Sequence, residues 1–166
     1  MIKQKGIIIL GYQGIGKSSF ANPENRAIDL ESGNFWVGIE RYGNWYIPYC
    51  QIAMNLANQG YIVFTSSHKV VVDHLRYMPL LENVGAVVAI CPTRNLREKW
   101  IEKLKERYET TNLEKDYQAY LNAVDRFDEN IVELASCGLP VYQLLAMDYK
   151  LSDYVSKAVK DWCDHQ

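Results

Sequence analysis

The chain has 166 residues, 48% of them hydrophobic, enough for one compact domain with a real core and no reason to look for a second. Eighteen Lys and Arg against 20 Asp and Glu leave a formal charge of −2, which excludes a global field drawing the protein to nucleic acid or to an anionic membrane. Cys50, Cys91, Cys137 and Cys163 make no C-x-x-C pair and read as inert thiols of a reducing compartment, and the apolar run at the N-terminus is too short for a signal peptide or a spanning helix, so the expected location is the cytoplasm.

In chain order, a first strand is expected from Lys5 to Leu10, followed by a glycine loop and a short helical segment ended near Pro23. A brief second strand covers Ala27 to Leu30. An aromatic stretch leads into a helix from Ile47 to Gln59, with Gly60 as its stop. The third strand is Tyr61 to Thr65, then comes a helix from Lys69 to Met78 ended by Pro79, then the fourth strand, Ala86 to Cys91. A long helix opens near Thr93 and runs to about Tyr108, with Leu96, Trp100, Leu104 and Tyr108 as its apolar stripe. A further helix spans Glu114 to Ala135, the fifth strand Val141 to Ala146, and a last helix Ser152 to Trp162. Near-continuous apolar runs such as GIIIL and GAVVAI suit strands buried on both faces, and strands taking turns with helices predict an α/β domain with a parallel sheet between helical layers. No repeat or linker divides it, so residues 1–166 read as a single domain.

Gly11-Tyr12-Gln13-Gly14-Ile15-Gly16-Lys17-Ser18 matches G-x-x-x-x-G-K-[ST] in full, directly after the first strand. Glycines let the backbone curl so that its N–H groups face inward, and the following helix is expected to add its positive end. ATP or GTP phosphates fit such a cradle, with contacts from Gly11, Gln13, Gly14, Ile15, Gly16, Lys17, Ser18 and Ser19. Lys17 brings a mobile charge to the β- and γ-phosphates, and the Ser18 hydroxyl is the expected Mg²⁺ ligand. A glycine-rich corner alone needs no ligand; the Lys-Ser pair in register favours the phosphate reading.

The loop does not choose a reaction. The third strand ends in Ser66-Ser67-His68-Lys69, without the second magnesium carboxylate of motor ATPases. The second strand, in AIDLES, carries Asp29 and Glu31 at the cleft edge that the C-terminal ends of parallel strands create. In this order of parts the chain resembles the nucleoside-monophosphate kinase superfamily, including its shikimate and gluconate kinase branches. YIVFTSSHKVVVDHLR is similar to their strand, small-hydroxyl turn and arginine-bearing helix, and AICPTRNLREKWIEKLKERY to their fourth strand and basic lid helix. The D-G-x-P-R segment of adenylate-kinase-like enzymes is not reproduced, which counts against an ordinary AMP acceptor.

The resemblance implies a P-loop three-layer αβα sandwich with a five-stranded parallel sheet in the order 2-3-1-4-5. It implies an acceptor-binding insert at about 31–59 and a lid at about 93–112 that closes over ATP. It also gives Asp29, with Glu31 second, a role beside the acceptor hydroxyl or in the magnesium shell. Residues 33–49 gather Phe35, Trp36, Tyr42, Trp45, Tyr46 and Tyr49 around Arg41, either as a wall for a base with Arg41 on its phosphate, or as packing. The long fourth-strand helix carries Arg94 and Arg97 near its start, then Lys99, Lys103 and Arg107 along one side; an acidic stripe beside them fits a solvated helix equally well. For stabilising the transferring phosphoryl group the choice falls on Arg97 and Arg107, with Arg94 and Ser66 on the substrate, Arg126 behind them, and His68 as a turn cap or a polariser. The expected activity is transfer of the γ-phosphate of ATP, with Mg²⁺, to a nucleotide or another small hydroxyl metabolite; the alternative is a non-enzymatic P-loop protein whose nucleotide state controls a partner.

Overall fold

The computed structural model describes residues 4–32, 36–37, 40–41 and 43–164, at 36–37 and 40–41 the backbone alone. Its centre is β1 (Gly6–Gly11), whose Ile7, Ile8, Ile9 and Leu10 are wholly buried. Since successive strand side chains point to opposite faces, that burial means both faces of the sheet are covered. β1 pairs in parallel with β5 (Ile62–Thr65) on one side and β6 (Val84–Pro92) on the other; β2 (Ala27–Asp29) and β7 (Val141–Leu144) lie at the edges. The sheet order is β2-β5-β1-β6-β7, which is 2-3-1-4-5 when its own five strands are numbered along the chain.

All five expected strands are present, their ends within a residue or two of those read from the sequence. An antiparallel ribbon of β3 (Trp36–Val37) and β4 (Glu40–Arg41) stands apart. The helices also fall where apolar periodicity places them: α1 (Lys17–Phe20), α2 (Tyr46–Asn58), α3 (Lys69–Tyr77), α4 (Arg97–Thr111), α5 (Glu114–Ala135) and α6 (Leu151–Trp162). α2 packs on β1, β5 and β6, whereas α5 and α6 pack on β6 and α4 rests chiefly on α5.

Two differences bear on the site. The stretch from Thr93 begins as a 3-10 turn, Arg94–Leu96, before α4 proper, which closes on Asn112 in the left-handed region at φ 54°. α5 changes direction at Arg126, where φ is −136° and ψ 18°. With neither proline nor glycine there, its two halves follow separate supports, the first tied to the glycine loop through Gln13 and the second packed by Phe127, Ile131 and Leu134. The cysteines are all free thiols, and burial pushes Cys50 and Cys91 up to about 12 and Cys163 up to about 11. Among the described residues no helix is long and apolar enough to cross a membrane.

Candidate functional site

The loop between β1 and α1 takes its shape from two glycines that no other residue could readily replace. Gly14 has φ 89° and Gly16 φ 103°, a region that costs an L side chain about 1–2 kcal/mol. The loop is then held from behind. Trp100, wholly buried on α4, donates its indole N–H to the Gln13 carbonyl at 2.9 Å. Tyr149 donates its hydroxyl to the Ile15 carbonyl at 2.8 Å, and Lys103 donates to that hydroxyl at 3.0 Å. The Trp100 and Tyr149 rings stack at 6.0 Å with 17° between planes, and the Lys103 ammonium lies 4.4 Å and 5.1 Å from their centroids. Gln13 reaches the other way, donating to Ala119 O and Asn122 Oδ1 of α5, each at 3.1 Å.

Because C=O and N–H of a trans peptide point in opposite directions, carbonyls 13 and 15 drawn rearwards turn the N–H groups of Gly14 and Gly16 to the front. The first helical hydrogen bond is Phe20 N–H to Gly16 O, so the amides of Lys17, Ser18 and Ser19 lie ahead of the helix ladder. α1 is only four residues long, which corrects the expectation of a helix dipole at this point: the cradle is made of individual amides and one ammonium. The Lys17 ammonium lies on the loop itself, 3.2 Å from Gly11 O.

In front of the loop opens a cleft of about 1330 Å³ at the C-terminal ends of the strands. Of the side chains singled out from sequence it gathers Lys17, Ser18, Asp29, Glu31, Ser66, His68, Arg107 and Arg126, together with loop residues Gly11, Gln13, Gly14 and Gly16. Buried Tyr49 ties the neighbouring strand ends: it donates to Leu30 O at 2.7 Å and accepts from Ser66 N–H at 2.9 Å, so the Asp29 and Ser66 backbones hold a fixed spacing. For Trp45 and Tyr49 the packing alternative is the observed one, since both are buried. Arg41, as a side chain, and the rest of the aromatic cluster from Phe35 to Tyr42 lie outside the described residues.

The electrostatics are uncomfortable in the free protein. Burial lowers the Lys17 ammonium below its ordinary pKa, with Asp29 and Glu31 acting in the opposite sense. Burial raises the Asp29 carboxyl above its ordinary value, opposed chiefly by Lys17 and reinforced by Glu31. Each charge is short of solvation that the other only partly replaces.

The remaining candidates scatter. Ile15 and Ser19 face a second pocket of about 470 Å³ on the far side of the loop, with Lys103, Met147 and Tyr149. Arg94 sits outside the cleft, 3.8 Å from exposed Asp128, and Arg97 reaches Val124 O at 3.5 Å. Arg107 does enter the cleft, its Nε 2.9 Å from Asp116 Oδ1, while Thr111 Oγ1 donates to the other oxygen of that buried carboxylate at 2.5 Å. Arg126 lines the cleft with both Nε and Nη2 on Glu129. His68 precedes α3, its Nδ1 2.8 Å from Ser66 Oγ, with no side-chain cap bond to the helix.

Sequence reasoning missed the rear support. Trp100 reads as one apolar tooth of a stripe, and Tyr149 falls in a loop after the last strand with no motif to mark it. Asp116 also passed unnoticed; a carboxylate at the first turn of a helix is ordinary, and only its burial at 3% exposure singles it out. Among the described residues no three His, Cys, Asp or Glu side chains converge as a ready-made metal site. Ser18 and Asp29 share the cleft, a donor set of one hydroxyl and one carboxylate that suits Mg²⁺, which takes much of its coordination from phosphate and water. No protein-family model matches this sequence, and no curated protein is similar enough to be matched with it.

Proposed function

We propose that this chain is an ATP-dependent phosphotransferase of the P-loop class, moving the γ-phosphate to a nucleotide or another small hydroxyl-bearing acceptor. The observation that carries this reading is one continuous cleft in which the amide-lined loop and Lys17 stand beside Asp29 and Glu31, with polar wall continuing beyond them. Its volume exceeds the usual range of a single small-molecule pocket, roughly 300–1,000 Å³. A binder of one triphosphate tail has no use for that space; an enzyme joining two substrates does.

The roles follow from the placement. The Gly14 and Gly16 amides and the first-turn amides receive phosphate oxygens, and the Lys17 ammonium leaves Gly11 O to follow the charge that develops on the leaving β–γ bridge. Ser18 and Asp29 would hold Mg²⁺, whose charge offsets that of the phosphate oxygens. With a hydroxyl acceptor, its oxygen forms the new bond to phosphorus as the β–γ bridging bond breaks, ADP leaves, and the hydroxyl proton passes to Asp29. A carboxyl already raised by burial is the better proton acceptor. With a phosphate-monoester acceptor there is little proton to move, and Asp29 serves the metal shell.

A second reading has one observation in its favour: Arg94 and Arg97 are turned away from the cleft and Arg107 is already paired, so few cations await the transition state. A nucleotide-dependent regulator needs none. Release of ADP from ATP and Mg²⁺ across a panel of nucleotides, sugars and hydroxy acids separates the two. Acceptor-dependent release is the expected outcome; ATP binding with no acceptor-dependent release across the panel would leave the regulator.

A further inference from the structure

Three carboxamides on the cleft wall, one from the glycine loop and two from α5, are joined in a chain that no motif announces. Gln13 Nε2 donates to Ala119 O and to Asn122 Oδ1, each at 3.1 Å, and Asn130 Nδ2 donates to the same Asn122 oxygen at 2.9 Å. The chain has one polarity. A backbone carbonyl only accepts, so Ala119 O fixes which end of the Gln13 amide is nitrogen; the second N–H of that nitrogen requires oxygen from Asn122, and the oxygen in turn requires a donor from Asn130. Both N–H groups of Gln13 Nε2 and both lone pairs of Asn122 Oδ1 are used.

Asn122 and Asn130 are eight residues apart on one helix. In a straight α-helix that spacing is about 12 Å along the axis, farther than two asparagine side chains and a hydrogen bond reach; side chains that meet are three or four residues apart. The bond therefore depends on the bend of α5 between them, at Arg126 with φ −136° and ψ 18°. A bend with neither proline nor glycine needs a cause of its own, and closure of the carboxamide chain onto Gln13 supplies one. At its other end the chain holds the residue whose carbonyl receives the Trp100 indole at 2.9 Å and whose following peptide carries the Gly14 N–H. Gln13 is thus gripped by its backbone from α4 and by its side chain from α5, and the direction of that amide depends on both.

We propose that Asn122 and Asn130 are positioning residues for the glycine loop. The bend of α5 brings Asn130 onto Asn122, Asn122 holds Gln13, and the loop amides are set for a triphosphate before it arrives. This rests on the phosphotransferase reading and deepens it: affinity for ATP depends on the second half of α5, a segment with no part in the phosphate motif. A preorganised loop loses less freedom on binding, so the relay acts on affinity without touching the ligand.

Calorimetric titration of the full chain with Mg²⁺ and a non-hydrolysable ATP analogue reads this without an acceptor. Asn122→Ala should weaken binding by roughly 2- to 10-fold, the worth of a hydrogen bond, and Asn130→Ala by a similar or smaller factor. Asn130→Gln keeps the donor and should recover part of the loss. Gln118→Ala is the control: it breaks a carboxamide bond of the same helix, 2.8 Å to Glu114 Oε1, outside the relay, and should bind like the wild type. The sharpest measurement is Asn130→Ala in a Gln13→Ala background, where it should cost nothing further because the relay is already cut. A loss that persists there means that Asn130 meets the ligand directly, and overturns the proposal. Wild-type affinity in Asn130→Ala, a loss in Asn130→Gln as large as in Asn130→Ala, or an equal loss in Gln118→Ala overturns it as well. If the wild type binds no analogue, the phosphotransferase reading fails and the proposal falls with it; if the wild type binds and the Asn130 variants match it, the relay alone fails.

Discussion

The two sides of the glycine loop are built on opposite terms. Behind it, the carbonyls of Gln13 and Ile15 meet neutral donors on the buried Trp100 and the half-buried Tyr149, and nearly every ring in the neighbourhood is packed against another. In front, Lys17, Asp29 and Glu31 share a partly desolvated cleft with their charges incompletely compensated. Hydrogen bonds to the rear set where the amides point and contribute to the fold; on the proposed reading, the charge compensation missing in front is what a ligand would complete. Stability and binding are thereby assigned to opposite faces of the same few peptides, as expected where a strained site is supported by its surroundings.

Substitutions on either face can break that division, and the largest effect is expected in front. Lys17→Ala should cut turnover by about 100- to 1000-fold, as loss of a transition-state donor does, and abolish ATP binding in calorimetry. It should do so without loss of stability at neutral pH. The ammonium's pKa is lowered in the fold, so the native state holds fewer protons than the unfolded chain over the window just below the ordinary lysine value; charged Lys17 weakens the fold beneath that window, and its removal relieves it. A marked drop in melting temperature for this variant would contradict the division.

Behind the loop the expectations reverse. Trp100→Phe keeps most of the buried area but orphans the Gln13 carbonyl, at a cost of about 1–3 kcal/mol in urea unfolding, and relaxed amides should weaken nucleotide binding as a secondary effect. Tyr149→Phe removes a hydroxyl nearer the surface and should cost about 0.5–1.5 kcal/mol. Should either variant lose ATP binding while unfolding like the wild type, the rear face would be part of the ligand site rather than its support.

Asp29→Asn gives a smaller, pH-marked effect. The native carboxyl has a raised pKa, so the fold keeps its proton where the unfolded chain has lost it, and stability falls as pH rises from the ordinary aspartate value through the native one. The asparagine variant lacks that fall. Its melting temperature should exceed the wild type's at pH 7, and the gap should close as pH drops below the carboxylate range; a gap independent of pH would point to packing instead. Smallest of all, Arg94→Ala removes an exposed pair at 3.8 Å and should change stability by less than about 1 kcal/mol and turnover hardly at all. A large loss of turnover there would restore the arginine to the chemistry.

The sequence made the sheet readable because β1 and β6 are apolar throughout and their bounding signals are sharp: Gly11 opens the loop, Pro79 closes α3, Gly60 stops α2. The glycine loop was readable for the same reason, each of its fixed positions having a local cause. What could not be read were interactions between residues far apart in the chain. Arg94, Arg97 and Arg107 look alike as a basic helix face, yet only the packing of Trp100 and Leu104 against the loop turns Arg107 into the cleft and leaves Arg94 outside it.

The Tyr149 hydroxyl and the Ile15 carbonyl it grips are 134 residues apart. During synthesis the glycine loop emerges first, and the tyrosine that completes its backing follows only after all five strands of the sheet have been made. A nascent chain can therefore acquire its central strands well before its glycine loop is fully backed. On the proposed reading, ligand competence should follow the central strands on the ribosome, a delay that arrested chains of increasing length, probed with a nucleotide analogue, would make visible as a step once Tyr149 has emerged.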